Sequence, residues 1–218
     1  MPSAWPTLGV LIPTYRRHEI VARTVALLRE NLRYSGEMEI LVSEDGPDLP
    51  PVWQDGVRVI AGPGRGLGAN LNALLSASVH CEVLLQSDDD NHLSGPLDLD
   101  PHVRTLLQEP LAGWIRLQYV ADHHFRATLK GSYWWVDWDS PELYITSNKA
   151  HLKHRRFHDT FGMYPEDLNL AETENGFCWQ CKDMAALPGV WPQVLVPLDV
   201  ATESLWQHVG PSWQSKGF

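Results

Sequence analysis

Three consecutive carboxylates, Asp88, Asp89 and Asp90, close the apolar run Val83-Leu-Leu-Gln-Ser87. Alternate residues of an extended chain face the same way, so Asp88 and Asp90 share a side. Two carboxylates that close repel unless a cation or a proton lies between them. Oxygen ligands at the end of a rigid strand suit a hard divalent ion, Mg2+ or Mn2+. A solvated acidic turn has the same composition, so the run needs support from other residues.

A second chemical signal is the turn Gly62-Pro-Gly64-Arg65-Gly66-Leu-Gly68. Gly64-x-Gly66-x-x-Ala69 matches the Gly/Ala form of the dinucleotide fingerprint, and Asp88 follows at about the twenty-residue distance of a ribose-binding acid. That reading makes the chain a nicotinamide or flavin oxidoreductase. Against it, the fingerprint belongs on the first strand and here follows the third, and one acid suffices for a ribose. No Lys-Ser/Thr follows the turn, which excludes a P-loop. Cys178-x-x-Cys181 raises structural zinc, which needs four ligands; the others would come from His151, His154 or His158. With no second Cys pair, an inert, partly buried pair is the expectation. Lys149, Lys153, Arg155 and Arg156 concentrate fixed positive charge in one stretch. It reads as a solvated helix face or as a phosphate site for donor or acceptor. Trp134, Trp135, Trp138 and Trp179 could then stack on a sugar or a base.

These groups need a frame, and the hydrophobic pattern supplies one. Leu8–Ile12 reads as a buried strand stopped by Pro13; Val21, Val25, Leu28 and Leu32 then recur at helical spacing. Glu39–Ser43 is a second strand, ending in Glu44-Asp45-Gly46, and Val57–Ala61 a third. Leu67, Leu71, Leu74 and Leu75 mark the helix after the glycine turn, and the acid-bearing run is the fourth strand. Asp100 as N-cap with Pro101 behind it opens a short helix through Leu107, and Trp114–Val120 is a fifth strand. This alternation predicts an α/β fold, a mostly parallel Rossmann-like sheet with helices on both faces. Ligands of such sheets bind beyond the carboxyl ends of the strands, where the acids fall. Phe125–Ser147, aromatic and β-branched, predicts an antiparallel portion; His151–Glu174 reads as polar and irregular. The expected organisation is one domain over 1–218, with a nucleotide-binding half to about 120 and an aromatic half after it.

The chain has 218 residues, a net charge of −10 and three cysteines. The charge opposes indiscriminate binding to nucleic acid or anionic membrane. No run of about 18 apolar residues predicts a membrane span. The first residues lack signal-peptide character, so the expected location is the cytoplasm.

Four segments in order, Leu11-Ile-Pro13-Thr14-Tyr15, Ile40-Leu-Val-Ser-Glu44-Asp45-Gly46, Arg65-Gly-x-Gly68-x-Asn70 and Leu84-Leu-Gln-Ser-Asp88-Asp89-Asp90, resemble the GT-A-type glycosyltransferases. The likeness is greatest to the large inverting family 2 and covers Leu8 to about Asn91. It implies that Pro13, Thr14 and Tyr15 line the pocket for the donor's base, and that Asp45 or Glu44 accepts hydrogen bonds from it. Arg65 and Asn70 lie near the nucleotide. Arg16, Arg17 and Arg65 are candidates to support the diphosphate charge; Arg16 and Arg17 read equally as exposed residues at a helix start. Asp90 is the direct metal ligand, with Asp88 beside it, and Asp88 or Asp89 is the ribose partner. The family's acidic pair at a helix start is matched by Glu172-Thr-Glu174 after Asp167. This departs from the usual Glu-Asp order, so Glu174 or Glu172 is the general base, with Asp167 behind them. His208, in a late His-x-Gly segment, completes the metal site or contacts the diphosphate.

The implied activity is metal-dependent transfer of a hexose from a nucleotide-diphospho sugar, a UDP-sugar first, with inversion. The acceptor is left open among a glycan, a lipid carrier, a small molecule and a modified DNA base. The rival classes are the oxidoreductase and a non-catalytic carbohydrate or nucleic-acid binding module.

Overall fold

The computed structural model describes residues 5–46, 56–118, 125–142, 144–199 and 205–209. In chain order the elements are β1 (Leu8–Thr14), α1 (His18–Asn31), β2 (Leu32–Arg33), β3 (Met38–Glu44), β4 (Val57–Ala61), α2 (Leu67–Ala77), β5 (Val83–Gln86), β6 (Asn91–Leu93) and β7 (Leu97–Asp98). Then follow α3 (Asp100–Gln108), β8 (Ala112–Arg116), β9 (Ala127–Lys130), β10 (Tyr133–Val136), β11 (His151–His154), α4 (Arg156–Phe161), α5 (Leu170–Ala185), β12 (Gln193–Pro197) and β13 (Trp206–His208).

A nine-stranded sheet runs in the order β4-β3-β1-β5-β11-β8-β12-β10-β9. The first four strands are parallel, as the βα alternation predicts. β11 then inserts antiparallel between β5 and β8, and β12 restores a parallel pairing with β8. The β9–β10 hairpin closes the far edge as the predicted antiparallel portion. Alternation along β1 splits the core: Val10 and Ile12 pack with Val21, Val25 and Leu28 of α1, while Leu11 joins Leu71, Leu74 and Leu75 of α2 on the other face.

Four boundaries differ from the sequence pattern. β1 continues through Pro13, which is in register with Ser43 of β3. Pairing with β5 ends at Leu11, so the proline's missing N–H costs no ladder bond on that side. Leu32 leaves α1 for β2, and α3 starts at Asp100 itself, with Leu99 in the capping position. β8 spans Ala112–Arg116, earlier than expected; residues 119 and 120 of the predicted strand lie outside the described residues.

The largest difference is in 151–174. Far from irregular, this stretch holds a central strand, a helix and the start of another. Its basic residues are not a surface patch. Lys153 and His151 are fully buried in β11. Arg155 donates to the carbonyls of Cys81 (2.9 Å), Leu75 (3.3 Å) and Ser78, closing the C-terminal end of α2. Arg156 does the same for α3, donating to the carbonyls of Leu106, Glu109 (3.1 Å) and Ala112 (2.6 Å). Terminal helical carbonyls lack intrahelical partners and carry partial negative charge, so two arginines are used internally. For Lys153, Arg155 and Arg156 the phosphate-site and solvated-face readings are overturned; Lys149, half-buried ahead of β11, lies within electrostatic reach of Asp88 and Glu174.

Gly68 shows how tightly α2 meets the later half of the chain. A Cβ there would lie 1.9 Å from the carbonyl oxygen of Pro165 and 3.2 Å from Thr173 Cγ2. Backbone cannot yield as a side chain end can. Gly68→Ala is expected to destabilise the fold by about 3 kcal/mol, the upper range of overpacking, read as a lowered midpoint in urea with an unchanged slope.

Candidate active site

Several loops meet beyond the carboxyl ends of β1, β3 and β5. The turn after β1 carries Tyr15, Arg16 and Arg17; Tyr15 is 57% exposed, an aromatic face open to solvent. Arg16 has φ 55°, a left-handed conformation unusual for a side-chain-bearing residue. Glu44 holds it there. Its fully buried carboxylate accepts from Arg16 N (3.0 Å), Gly46 N (2.7 Å) and His18 Nε2 (3.0 Å). Asp45 accepts from Gly64 N (2.7 Å) and Gly66 N (3.0 Å). The amides that would cradle a pyrophosphate in a dinucleotide fold are thus held by the protein's own carboxylate. The oxidoreductase reading fails on that contact.

Asn70 and Arg65 also serve the frame. Asn70 is buried and its Nδ2 donates to the carbonyl of Ser43 (3.1 Å), tying α2 to β3. Arg65 makes a two-pronged contact with Asp167, Nε to Oδ1 at 3.0 Å and Nη2 to Oδ2 at 2.6 Å, and meets Glu166 at 2.9 Å. Asp167 is therefore paired at the surface, away from the acid cluster expected to do chemistry.

The three aspartates have different environments. Asp89 is turned inward: Oδ2 accepts from Thr14 Oγ1 at 2.7 Å and Oδ1 from Arg17 Nη1 at 3.0 Å. Both of its oxygens thus already accept within the protein, whereas Asp88 accepts only a long contact from Asn91 Nδ2 at 3.4 Å. Asp90 Oδ2 meets Arg17 Nη1 at 2.6 Å and His208 Nε2 at 3.4 Å. β13 delivers that histidine by pairing His208 with Asn91 of β6, and Val209 N donates to the Asp90 carbonyl; residues 210–212 of the late motif lie outside the described residues. The Asp88 carboxyl is pushed well above the usual range by burial and by Glu174, Asp90 and Asp89, with Lys149 opposing.

Of the expected bases, Glu174 alone joins this cluster. It is half-buried on the first turns of α5, and Oε1 accepts from the backbone N–H of Asn148 at 2.9 Å. Burial raises its pKa, while the Asn148 N–H, Lys149 and Arg116 pull it back. Glu172 is exposed and spent on the capping box: Asn169 Oδ1 accepts its N–H at 2.9 Å and its Oε2 accepts the N–H of Asn169 at 3.2 Å. Helical spacing puts residues two apart on different faces, so both acids cannot serve one site.

Asp88, Asp90 and His208 offer two hard oxygens and an imidazole, a set that accepts Mn2+ more readily than Mg2+. Burial first, and then the neighbouring carboxylates, hold the Asp88 pKa up, so a cation there would be favoured over a bare charge, while Arg17 stands as countercharge to Asp90. That donor set fits a divalent ion. Among the described residues the one group of three drawn within 4.8 Å is another, Glu39, His80 and Cys81. It lies at the opposite end of the sheet, with Arg58 already 3.3 Å from Glu39. Cys178 and Cys181 are buried and free, with none of the three histidines gathered about them, so the zinc reading is not supported.

The description "Glycosyl transferase family 2" matches residues 9–168. The chain belongs to glycosyl transferase family 2. No curated protein matches it. Among solved structures, this family 2 glycosyltransferase is similar to the mannosyltransferase PcManGT from Pyrobaculum calidifontis in complex with GDP-Man and Mn2+ (TM-score 0.59, 14% identity, 91% of this chain and 56% of that one). It is also similar to S. aureus TarS 1-349 in complex with UDP-GlcNAc (0.63, 14%, 97% and 61%) and to GalNAc-T7 with UDP, GalNAc and Mn2+ (0.62, 14%, 89% and 43%). The chain thus spans about half the length of these proteins. At such identities the likeness shows the GT-A fold. No described helix of this glycosyltransferase is long and apolar enough to cross a membrane.

Asn148, Lys149 and Gln86 were not singled out as site residues by the sequence. In the sequence Lys149 is one charge among several, and no local pattern distinguishes an asparagine whose backbone N–H fixes an acid 26 residues on.

Proposed function

We propose that this glycosyltransferase moves a hexose from a nucleotide-diphospho sugar, a UDP-sugar first, to an acceptor hydroxyl with inversion, using Mn2+ or Mg2+. One observation carries the reading. A half-buried carboxyl, Glu174, with a raised pKa, stands within electrostatic reach of Asp88 at the carboxyl end of the sheet. A base fixed by a backbone N–H and poised above the usual carboxylate range suits removal of a hydroxyl proton. Asp90, Asp88 and His208 would hold the ion, which when bound stabilises a diphosphate leaving group as a Lewis acid. Arg17 and Lys149 supply further positive charge, and exposed Tyr15 offers a face to the donor's base. The neighbours crystallised with GDP-Man, UDP-GlcNAc and Mn2+ support the class of donor and cofactor. The acceptor stays open among a glycan, a lipid carrier and a small molecule. Of the basic stretch that suggested a modified DNA base, Arg155 and Arg156 cap helices and Lys153 is buried. Of the four tryptophans, Trp134 and Trp179 are exposed enough to meet a sugar, while Trp135 is in the core.

The test is calorimetric binding of UDP, GDP and NAD, with and without manganese, to wild type and Asp90→Ala. One nucleoside diphosphate is expected to bind in a manganese-dependent way, weakened at least about 10–100-fold in the variant, the cost seen even for residues that only support metal ligands. Manganese-independent NAD binding would overturn the proposal. Nucleotide binding indifferent to Asp90 would point to a binding module.

A further inference from the structure

Buried side-chain polar atoms almost always have partners, and one left without costs about 1–3 kcal/mol. The loop entering β11 breaks this rule at three consecutive residues. Thr146 Oγ1, Ser147 Oγ and Asn148 Nδ2 are all buried and unpartnered, and the residues are 1%, 6% and 3% exposed. The same Asn148 donates its backbone N–H to Glu174.

The orientation of the Asn148 amide follows from a buried relay. Lys153 Nζ and Tyr164 Oη, donors at 2.7 and 3.1 Å, both point to Gln86 Oε1. That leaves Gln86 Nε2 to donate to Asn148 Oδ1 at 3.3 Å, so the acceptor end of Asn148 is used inside the protein. Nδ2 is what remains. Gln86 ends β5, two residues before Asp88, so the relay runs from the core to the site between the acid cluster and the base.

Resting on the transferase reading, we propose that Asn148 binds the transferred sugar: its Nδ2 donates to a sugar hydroxyl while its backbone N–H fixes Glu174. Thr146 and Ser147 extend the same subsite. A sugar ring offers clustered hydroxyls that accept and donate, which matches a row of unpartnered hydroxyl and amide groups. Gln86 and Lys153 are positioning residues that set which end of Asn148 faces the ligand.

The experiment compares UDP with UDP-glucose and UDP-GlcNAc, and GDP with GDP-mannose, by calorimetry in manganese. Asn148→Ala is expected to weaken the sugar nucleotide that wild type binds about tenfold, the fold-change of one neutral hydrogen bond at its upper range. The bare diphosphate keeps its affinity, which also reports that the site is folded. Equal weakening of both, or of neither, overturns the inference; the second result assigns Nδ2 to a resident water. If wild type binds no nucleotide at all, it is the transferase reading that fails. Should Asn148→Ala not fold, Asn148→Leu carries the same comparison, since it fills a similar volume, keeps the backbone N–H to Glu174 and has no donor to offer a sugar.

Discussion

Glu174→Gln is expected to lower the rate of transfer about 10²–10⁴-fold, the contribution of a positioned general base, with nucleotide binding retained. Glutamine keeps the shape and the oxygen that accepts from Asn148 N at 2.9 Å, so the loop before β11 stays in place. What is lost is the group that can take a proton. The wild-type pH profile carries the same signature. Burial holds the Glu174 carboxyl above its ordinary value, and only the ionised form is a base. Activity therefore falls as pH drops through that raised pKa, a limb displaced upward from the usual 4.3 or so of glutamate. Glu172→Gln is the internal control, because Glu172 faces solvent and caps α5. Its effect on rate is expected to stay within about threefold, since a cap is a stability device. Loss of activity in Glu172→Gln with Glu174→Gln near wild type would exchange the two assignments.

The acids at the strand end were legible because strand period and position fix them together: carboxylates that follow an apolar run in a parallel sheet fall beyond the strand's carboxyl end, where ligands of such sheets bind. Most of the parallel frame followed from the same kind of local evidence. What was not legible depends on contacts distant in sequence. Nothing in His151-Leu-Lys-His154 announces a central strand, since a lysine and two histidines oppose burial until Gln86, Tyr164 and Trp114 are known to surround them. Arg155 and Arg156 looked like a patch because charge counting cannot see the helix ends that absorb them. In the sequence either Asp45 or Glu44 reads as the acid facing the donor's base, yet each is engaged first by backbone amides of neighbouring turns. The same types of residue make a binding loop or hold one in shape, and only the hydrogen-bond partners separate the two.

Lys153→Met is expected to stabilise the protein at neutral pH, by about 1–4 kcal/mol if it follows other replacements of buried ionic groups by apolar ones. Lys153 is fully buried on β11, against the ring faces of Trp114 and Tyr164 and with only neutral oxygens as acceptors. Burial drives its pKa well below the usual lysine value, and nearby Arg155 adds to the effect. The unfolded chain holds the proton up to about pH 10.4, while the folded protein releases it at lower pH. Between those two values the unfolded state binds one more proton, so this group makes stability rise with pH by about 1.4 kcal/mol per unit. Methionine has no such term. The advantage of the variant should thus shrink by about that slope from pH 8 to 10, measured as urea-unfolding free energies at matched ionic strength. Parallel stability curves for the two proteins over that window would mean that Lys153 keeps its charge when folded. Tyr164 still donates to Gln86 Oε1 at 3.1 Å in the variant, so the amide relay to Asn148 keeps its direction. The lysine costs the fold stability, and what it adds is a second donor fixing the orientation of the chain of amides that ends at the sugar subsite.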